Sequence, residues 1–328
     1  MRFLLDPEQR AFAASLDAML TAADTPGTAR EWGRGEHARG RALWARLADA
    51  GVFALAVPQA YEGLGPRPVD LAVAFVELGR HAVPGPLVET VTAAALLREP
   101  GPAKRLLPAL ASGASMATVA YEGASEEEEE AFALDGDAAD VRLSVTPAGL
   151  RLAPGYDGVR PSLDPARRLA RLTAGGELLT VGPPAPEALP IARLATAAQA
   201  LGVGLALLER TVAYVGRRTQ FGVPVGSFQA VKHRLADTRI ALEFARPLVL
   251  GAAVTMDPAD VAAAKASACE AAYGAARTAL QAHGAIGYTA EYDLSLWLTK
   301  ARALRTAWGT PDECRAAVLA ARARPVSR

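Results

Sequence analysis

Two segments of the chain combine residue types that suit binding to a phosphate group. The first, Arg217-Arg218-Thr219-Gln220-Phe221-Gly222, places guanidinium groups beside an aromatic residue and a glycine. The second, Gln281-Ala282-His283-Gly284-Ala285-Ile286-Gly287, is rich in small residues. A guanidinium pairs with phosphate oxygens, and glycine permits a close backbone approach that side chains would block. Together the segments could hold a diphosphate; taken alone, Arg218 could equally be an exposed cation at a helix end.

The side chains that could accept a proton are better explained by structural roles. Asp312 and Glu313 follow Thr310-Pro311, so we expect them to be acids in the first turn of a helix. A histidine can be a base near neutral pH. His233 and His283 nevertheless lie within predicted helical or glycine-rich segments, where structural or surface roles are favoured.

The composition argues against several classes of function. Lys+Arg and Asp+Glu are equal at 35 each, so no basic excess attracts nucleic acid or an anionic membrane. The N-terminus lacks a leader pattern, and no segment reaches about 18 consecutive apolar residues. We therefore expect a cytoplasmic protein. Cys269 and Cys314 lie in alanine-rich segments without metal-ligand spacing, which predicts reduced core residues and no metal site.

The pattern along the chain predicts three domains. Residues 1–116 show apolar residues at steps of three and four, which is typical of helices. Between 117 and 188, short apolar stretches alternate with Gly, Pro and Asp and predict a small β domain. The acidic run Glu126–Glu130 within it is expected to be a solvated loop.

Residues 189–328 give the strongest periodic signal and predict a bundle of four antiparallel helices. Apolar or small residues recur at steps of three and four from Ile191 to Val215 and again from Phe228 to Val249. A third helix should begin at Asp257-Pro258, where aspartate can cap and proline is tolerated. A fourth should begin at Thr310, with Glu313 completing a capping box.

The order of helical domain, small β domain and helical bundle, with its motifs, resembles the acyl-CoA dehydrogenase family. Arg218-Thr219-Gln220-Phe221-Gly222, followed by Gln229, is similar to that family's Arg-x-x-Phe-Gly loop. Gln281 to Tyr288 is similar to its Gln-x-x-Gly-Gly-x-Gly-Tyr segment. Further matches lie in Gly51–Gly65 and Glu77–Arg80. The resemblance implies a mainly α fold with a shortened central β barrel.

In that family, subunits assemble as dimers of dimers and FAD lies across a dimer interface. The resemblance implies that the two motifs hold the diphosphate and adenosine half of FAD bound to a neighbouring subunit. It assigns Phe221 to a wall near the adenosine. The implied FAD-binding residues are Arg218, Gln220, Phe221, Gln229, Gln281, Gly284 and Ala285.

The family's catalytic base is missing at the expected position. Most members carry a glutamate before a Gly-Thr pair, and here Trp308 stands there in Ala307–Pro311. An indole cannot accept a proton. The alternative base positions of the family correspond to Ala192 and Gln199, which cannot act as bases either. The Thr-Glu-Pro-x-x-Gly-Ser and Trp-x-Thr motifs that contact the flavin ring are also not matched in the β domain.

In the motifs that it keeps and those that it lacks, the chain resembles the short subunits of actinobacterial, steroid-type acyl-CoA dehydrogenase heterotetramers. This implies a non-catalytic subunit that completes the FAD site of a full-length paralogue acting on a bulky steroid-like or branched acyl-CoA. Electron-transfer flavoprotein is the acceptor that the family implies. Two alternatives stay open: a self-sufficient dehydrogenase with its base relocated to Glu291, Asp312 or Glu313, and a flavin-free scaffold or acyl-binding protein.

Overall fold

The fold was examined in a computed structural model that describes residues 4–121 and 132–323. The α-helices are α1 Pro7–Thr21, α2 Thr25–Gly33, α3 Ala38–Asp49, α4 Pro68–Arg80, α5 Leu87–Leu96, α6 Pro100–Ala111, α7 Ala188–Arg217, α8 Gln229–Thr255, α9 Pro258–His283, α10 Leu294–Thr306 and α11 Pro311–Ala323. The strands are β1 Ala117–Tyr121, β2 Phe132–Leu134, β3 Val141–Thr146, β4 Gly149–Leu152, β5 Tyr156–Arg160, β6 Leu169–Leu172, β7 Glu177–Val181, β8 Thr219–Gln220 and β9 Val223–Pro224. The mainly helical fold with a small central β region is confirmed.

The chain forms two compact units. The sheet unit comprises Gly27–Leu71 and Pro84–Ala192, and the bundle unit comprises the described parts of Met1–Pro26, Ala72–Val83 and Arg193–Arg328. The division into domains at 1–116, 117–188 and 189–328 stays a prediction. The predicted acidic loop Glu126–Glu130 lies outside the described residues.

The sheet unit holds two small sheets joined through a buried hydroxyl. One sheet has the order β1-β3-β4-β7, with β1 and β3 parallel and the other pairs antiparallel; the other has the order β2-β6-β5 and is antiparallel. Thr118 in β1 donates a 2.5 Å hydrogen bond to the carbonyl of Leu134 in β2. Because Thr118 is fully buried, this bond replaces the lost water contacts of both groups.

In the bundle unit, α7 packs against its neighbours through glycines. A Cβ on Gly202 would lie 1.9 Å from the carbonyl oxygen of Val76, and one on Gly79 would lie 2.0 Å from that of Gln199. The backbones of α4 and α7 therefore touch directly. Gly204 similarly faces α8 and α9, where an added Cβ would lie 2.5 Å from Leu242. Only glycine permits these approaches.

The predicted helix starts are confirmed, but one helix was missed. Asp257 caps α9 by accepting from the amides of Ala259 and Asp260. The amide of Glu313 donates to the Thr310 hydroxyl, and the Glu313 carboxylate accepts from the Thr310 amide, which forms the capping box of α11. Helix α10 was absent from the sequence-based prediction. Its N-cap residue, Asp293, has helical dihedral angles and makes no side-chain capping hydrogen bond.

Helix α7 is long and apolar enough to cross a membrane by length and composition alone. However, 89% of its most apolar window is buried inside the protein. Its apolar surface is thus used in packing, and its composition gives only weak evidence for a membrane span.

A cluster of charged side chains lies near the start of the bundle unit. His81 Nε2 lies 2.8 Å from an Asp17 carboxylate oxygen, and Glu77 forms an ion pair with Arg80. Burial raises the pKa of Glu77 to about 7, although the cations Arg80 and Arg246 oppose the shift. Glu77 therefore keeps its proton to a higher pH in the native state than in the unfolded chain.

We predict that Gly202→Ala destabilises the protein by at least about 2 kcal/mol, because the new methyl group meets a backbone carbonyl that cannot move independently. Chemical denaturation measures the change. Gly274→Ala is the control: this glycine also lies inside a helix, but an added Cβ meets nothing within 4 Å. It should raise stability by up to about 1 kcal/mol. Equal stability of the two variants would contradict the close crossing.

Glu77→Gln should raise stability at pH 8 and change it little below pH 4.5. The native pKa of Glu77, about 7, exceeds its ordinary value of 4.5, so the wild type loses stability as pH rises between these values. Glutamine removes this loss, which amounts to up to about 3 kcal/mol. Denaturation midpoints across pH measure the effect, with exposed Glu62→Gln as the control. A gain that does not depend on pH would refute the ionisation argument.

Candidate functional site

The two segments predicted to bind phosphate meet in the bundle unit. Arg218 follows the last residue of α7, and its Nη1 donates a 3.0 Å hydrogen bond to the carbonyl of His283, the last residue of α9. The same nitrogen donates to the Tyr214 hydroxyl, which in turn lies 3.4 Å from that carbonyl. Arg218 is therefore positioned by both segments, and its exposed guanidinium keeps further N–H groups available for an anion.

The segment after Arg218 is a tight hairpin that exposes an aromatic ring. Strands β8 and β9 pair directly, which leaves Phe221-Gly222 as a two-residue turn. Both turn residues have positive φ, 54° and 81°, as in a type I′ turn. Phe221 is 93% exposed. A hairpin that holds a non-glycine residue in this strained conformation presents the ring to a ligand or to another chain.

The glycine segment provides open backbone beside Arg218. Gly284 ends α9 with φ of 66°, and an added Cβ would meet nothing within 4 Å. The following residues, Gly284–Tyr288, form a 3-10 helix. Gly287 is buried, and an added Cβ would lie 3.2 Å from His283. Glycine at 284 thus permits the positive φ and leaves the backbone there uncovered by a side chain. Glycine at 287 instead permits close packing against His283.

His283 serves to anchor the segment. Its ring stacks on Tyr214 at 4.0 Å between centroids, and its Nδ1 lies 2.8 Å from the Ala279 carbonyl. Burial lowers the pKa of His283 and Arg218 lowers it further, although the Ala279 hydrogen bond opposes them. A neutral ring that donates from Nδ1 fits this arrangement. The predicted structural role agrees with these contacts.

The remaining predicted site residues lie on the exposed side of these elements. Gln220 is in β8 and donates to the Thr219 carbonyl, while Gln229 is the first residue of α8. Gln281 and Ala285 are exposed on α9 and the 3-10 helix. Among the described residues, no hydrogen bond joins Gln229 to the glycine segment. The structure thus brings Arg218 to the glycine segment and leaves Gln229 and Gln281 exposed, whereas the Gln220 side chain is engaged with the Thr219 carbonyl.

A second arrangement surrounds Trp308, the residue that the sequence resemblance matched to a catalytic glutamate. Trp308 and Gly309 have positive φ, 59° and 116°. Arg193 donates from Nε to the Trp308 carbonyl at 3.1 Å, and Lys265 donates from Nζ to the Gly309 carbonyl at 2.7 Å. Buried Lys265 also donates to the carbonyls of Leu304 and Arg305 at the end of α10. Two cations therefore fix the backbone of this loop.

Sequence reasoning missed both Lys265 and Arg193. Lys265 lies in the middle of a predicted helix, and its partners are backbone carbonyls, which leave no pattern in a sequence. The lysine among alanines, in Ala262–Ala268, was the only available sign. A lone cation inside an apolar segment needs a buried partner.

The acidic residues near this loop have structural partners. Glu313 accepts from the Thr310 amide and hydroxyl, and these bonds lower its pKa. Asp312 forms an ion pair with Arg315 at 2.7 Å. Buried Ala192 and Gln199 occupy the alternative base positions. Of these side chains, the two that could accept a proton are already engaged.

Known proteins match the chain at both ends and over its whole length. The profile described as "Acyl-CoA dehydrogenase, N-terminal domain" matches residues 6–114, and that described as "Acyl-CoA dehydrogenase, C-terminal domain" matches residues 184–323. Acyl-CoA dehydrogenase IpdE2 of Mycobacterium tuberculosis is 32% identical over 94% of this chain and 95% of its own length.

Solved structures give the same result. A chain of the ChsE4-ChsE5 complex from Mycobacterium tuberculosis matches with a TM-score of 0.85 and 25% identity, covering 99% of this chain and 100% of its own length. A chain described as "Tcur3481-Tcur3483 steroid ACAD G363A variant" matches with a TM-score of 0.79 and 25% identity, covering 95% of this chain and 97% of its own length.

Lys265→Met should destabilise the protein by about 3 kcal/mol or more, because three buried carbonyls lose a charged donor while side-chain volume is nearly kept. Urea denaturation measures the loss. Exposed Lys232→Met, in the same unit, should change stability by less than about 0.5 kcal/mol. An unchanged midpoint for Lys265→Met would show that the loop does not depend on this lysine.

Proposed function

Because the chain belongs to the acyl-CoA dehydrogenase family, we propose that it is the non-catalytic subunit that completes the FAD site of a full-length paralogue. The family consists of oxidoreductases that introduce a double bond between the α and β carbons of an acyl-CoA thioester, with FAD as cofactor. The proposal concerns how this chain takes part in that reaction. The observation that carries it is the joined Arg218 site together with tryptophan at the position of the base.

The Arg218 site fits the diphosphate half of FAD. Arg218 is fixed against the His283 carbonyl, while the backbone at Gly284 is open because no neighbouring atom lies within 4 Å of an added Cβ. Exposed Phe221 offers a ring beside this site. A guanidinium, an accessible backbone and an aromatic wall suit an adenosine diphosphate. FAD, when bound, is the hydride acceptor. The residues of this chain would bind and orient the FAD.

The surroundings of Trp308 support a role without proton abstraction. The reaction needs a positioned base at the α carbon, which contributes about 10² to 10⁴ in rate. The loop that carries this base in relatives is fixed here by Arg193 and Lys265, but its side chain is an indole. Glu313 already accepts two hydrogen bonds from Thr310. A full-length partner would supply the base.

We further propose a heterotetramer with two copies of each subunit, acting on a bulky steroid-like acyl-CoA. Two similar structures support this step: one is described as the ChsE4-ChsE5 complex, and the other as a steroid ACAD variant of Tcur3481-Tcur3483. This chain covers nearly the whole length of the matched chains. Electron transfer to an electron-transfer flavoprotein is part of the same proposal.

The test is to purify the chain alone and together with a full-length acyl-CoA dehydrogenase paralogue from the same organism. We expect the chain alone to be colourless, and the complex to be yellow and active. Arg218→Met in this subunit should reduce FAD affinity about tenfold or more, since a charge-assisted bond to a diphosphate is lost. Flavin absorbance after gel filtration and FAD titration of the apo complex measure this.

Arg302→Met is the matched control, because Arg302 is exposed on α10 and belongs to neither of the two segments. It should leave FAD affinity unchanged. A yellow, active homo-oligomer of this chain alone would reject the proposal. In that case the activity of three variants would be measured: Glu291→Gln, Asp312→Asn and Glu313→Gln. Loss of activity in one of them would identify a relocated base.

A further inference from the structure

A cavity in the bundle unit belongs to neither arrangement described above. This α1–α8 cavity has a volume of about 400 Å³ and lies where α1, α4, α7 and α8 approach one another. None of its lining residues belongs to the Arg218 site or to the Trp308 loop. We propose that the α1–α8 cavity binds a free carboxylic acid with a medium-length apolar chain. Arg246 and Glu77 would bind the carboxylate, and the apolar part of the wall would bind the chain.

The wall of the α1–α8 cavity is mainly apolar. Its apolar residues include Ala13 on α1, Val76 on α4, Leu201 on α7 and Val249 on α8. The positions of α4 and α7 are fixed by their backbone contact, in which the Val76 carbonyl meets Gly202. Each methylene group of a ligand that leaves water for such a wall tightens binding about three- to fourfold. Because the volume also lies within the range of small-molecule sites, the cavity suits an apolar chain better than a simple ion.

A buried carboxyl group in the wall is left unsatisfied by the fold. Glu77 lines the cavity, and its Oε2 is buried without a hydrogen-bond partner among the described residues. Arg80 Nε lies 3.4 Å from this oxygen, which is longer than an ordinary hydrogen bond. Burial raises the pKa of Glu77 to about 7, so the carboxyl carries a proton below that pH. A protonated carboxyl is a donor that needs an acceptor, and a ligand carboxylate is such an acceptor.

The other charged side chains of the wall are guanidinium groups with donors to spare. Arg246 lies 3.7 Å from Glu243, too far for a hydrogen bond, and Arg10 donates from one nitrogen to the Leu5 carbonyl. A guanidinium has five N–H groups, so both arginines can also donate to a ligand. With Glu77 protonated, the wall is positively charged and attracts an anion. A single carboxylate accepts two hydrogen bonds, one from Arg246 and one from Glu77, which matches the proposed ligand.

The charged groups around Glu77 come from every helix that forms the cavity. They are Arg10 and Asp17 on α1, Arg80 and His81 on α4, Glu209 on α7 and Arg246 on α8. Asp17 pairs with His81, and Arg80 pairs with Glu209 at 3.0 Å. Arg246 is close enough to lower the pKa of Glu77 and has no such short pair. As pH rises through 7, Glu77 acquires a negative charge and repels a carboxylate bound to Arg246, so affinity should fall.

The first test varies the pH. Decanoate is titrated calorimetrically into the purified chain at pH 6 and at pH 8.5, and this ligand stays ionised at both values. The wild type should bind about tenfold or more weakly at the higher pH, because Glu77 has lost its proton. Glu77→Gln should match the wild type at pH 6 and keep that affinity at pH 8.5, because its amide is a neutral donor. An equal loss in both proteins would overturn the inference.

The second test separates the charge from the apolar wall. Arg246→Met should weaken decanoate binding at pH 6 about tenfold or more, since a hydrogen bond between charged groups is lost. Decanol has the same chain without the charge, and its affinity should be equal for Arg246→Met and the wild type. Arg239→Met is the matched control, because Arg239 is exposed on the same helix and does not line this cavity. The same loss of decanoate in Arg239→Met would indicate general charge attraction and would overturn the site.

The third test concerns the apolar part of the wall. Shortening the ligand from decanoate to octanoate and hexanoate should weaken binding about three- to fourfold for each CH₂ removed. Ala13→Phe should fill the cavity and weaken both decanoate and decanol about tenfold or more. Ala14→Phe is its control, since Ala14 is exposed on the same helix and does not line the cavity. Thermal unfolding of both variants verifies the fold, and an affinity that does not depend on chain length would overturn the inference.

This inference and the proposed function fail separately. Arg218→Met should leave decanoate affinity unchanged, because Arg218 does not line the cavity, and loss of decanoate in this variant would overturn the inference. Failure of decanoate to bind the purified chain would also overturn it and would leave the FAD proposal standing. A yellow, active homo-oligomer would reject the proposed function without affecting the binding of decanoate.

Discussion

The direct contact of α7 with α4 constrains everything else in the bundle unit. Gly79 and Gly202 each face a carbonyl of the other helix that leaves no room for a methyl group. Because α7 is fixed in this way, both of its ends are fixed. Near its beginning, Arg193 reaches the Trp308 loop, and just after its end Arg218 reaches the close of α9. A single tightly packed helix thus places two sites that lie at opposite ends of a 30-residue segment.

The Trp308 loop has backbone contacts that do not involve its side chain. Its backbone is bound by Arg193 and by buried Lys265, and Gly309 adopts a φ of 116° that favours glycine. Both cations donate to carbonyl oxygens, which every residue carries, so these bonds do not depend on the identity of the side chain at Trp308. Under the proposed function, the same backbone framework would serve with or without a catalytic side chain. The fold by itself therefore does not report catalysis.

The sequence allowed prediction where the determinants were local. The caps at Asp257 and Thr310 and the apolar spacing of α7 and α8 are properties of residues close in sequence, and the structure confirms them. Helix α10 lacks a side-chain cap and follows a 3-10 segment, so its start was not recognised. Contacts made to backbone carbonyls were also beyond prediction, because every residue has one. From the sequence, Lys265 could be recognised only as a cation within an apolar helix. Its three carbonyl partners could be identified only from the structure.

The surface around Arg218 has features that folding of this chain alone does not explain. Phe221 occupies a left-handed backbone conformation, which costs about 1 kcal/mol or more, and leaves its ring almost wholly in water. Arg234 and Arg277 share a cavity with no acidic partner in the described residues. Each feature is unfavourable or neutral for the isolated chain. Under the proposed function, each becomes favourable once a ligand from outside the chain occupies the surface. The strain at Phe221 and the unpaired charges would then be offset in the assembled site, in which the partner subunit supplies the second wall.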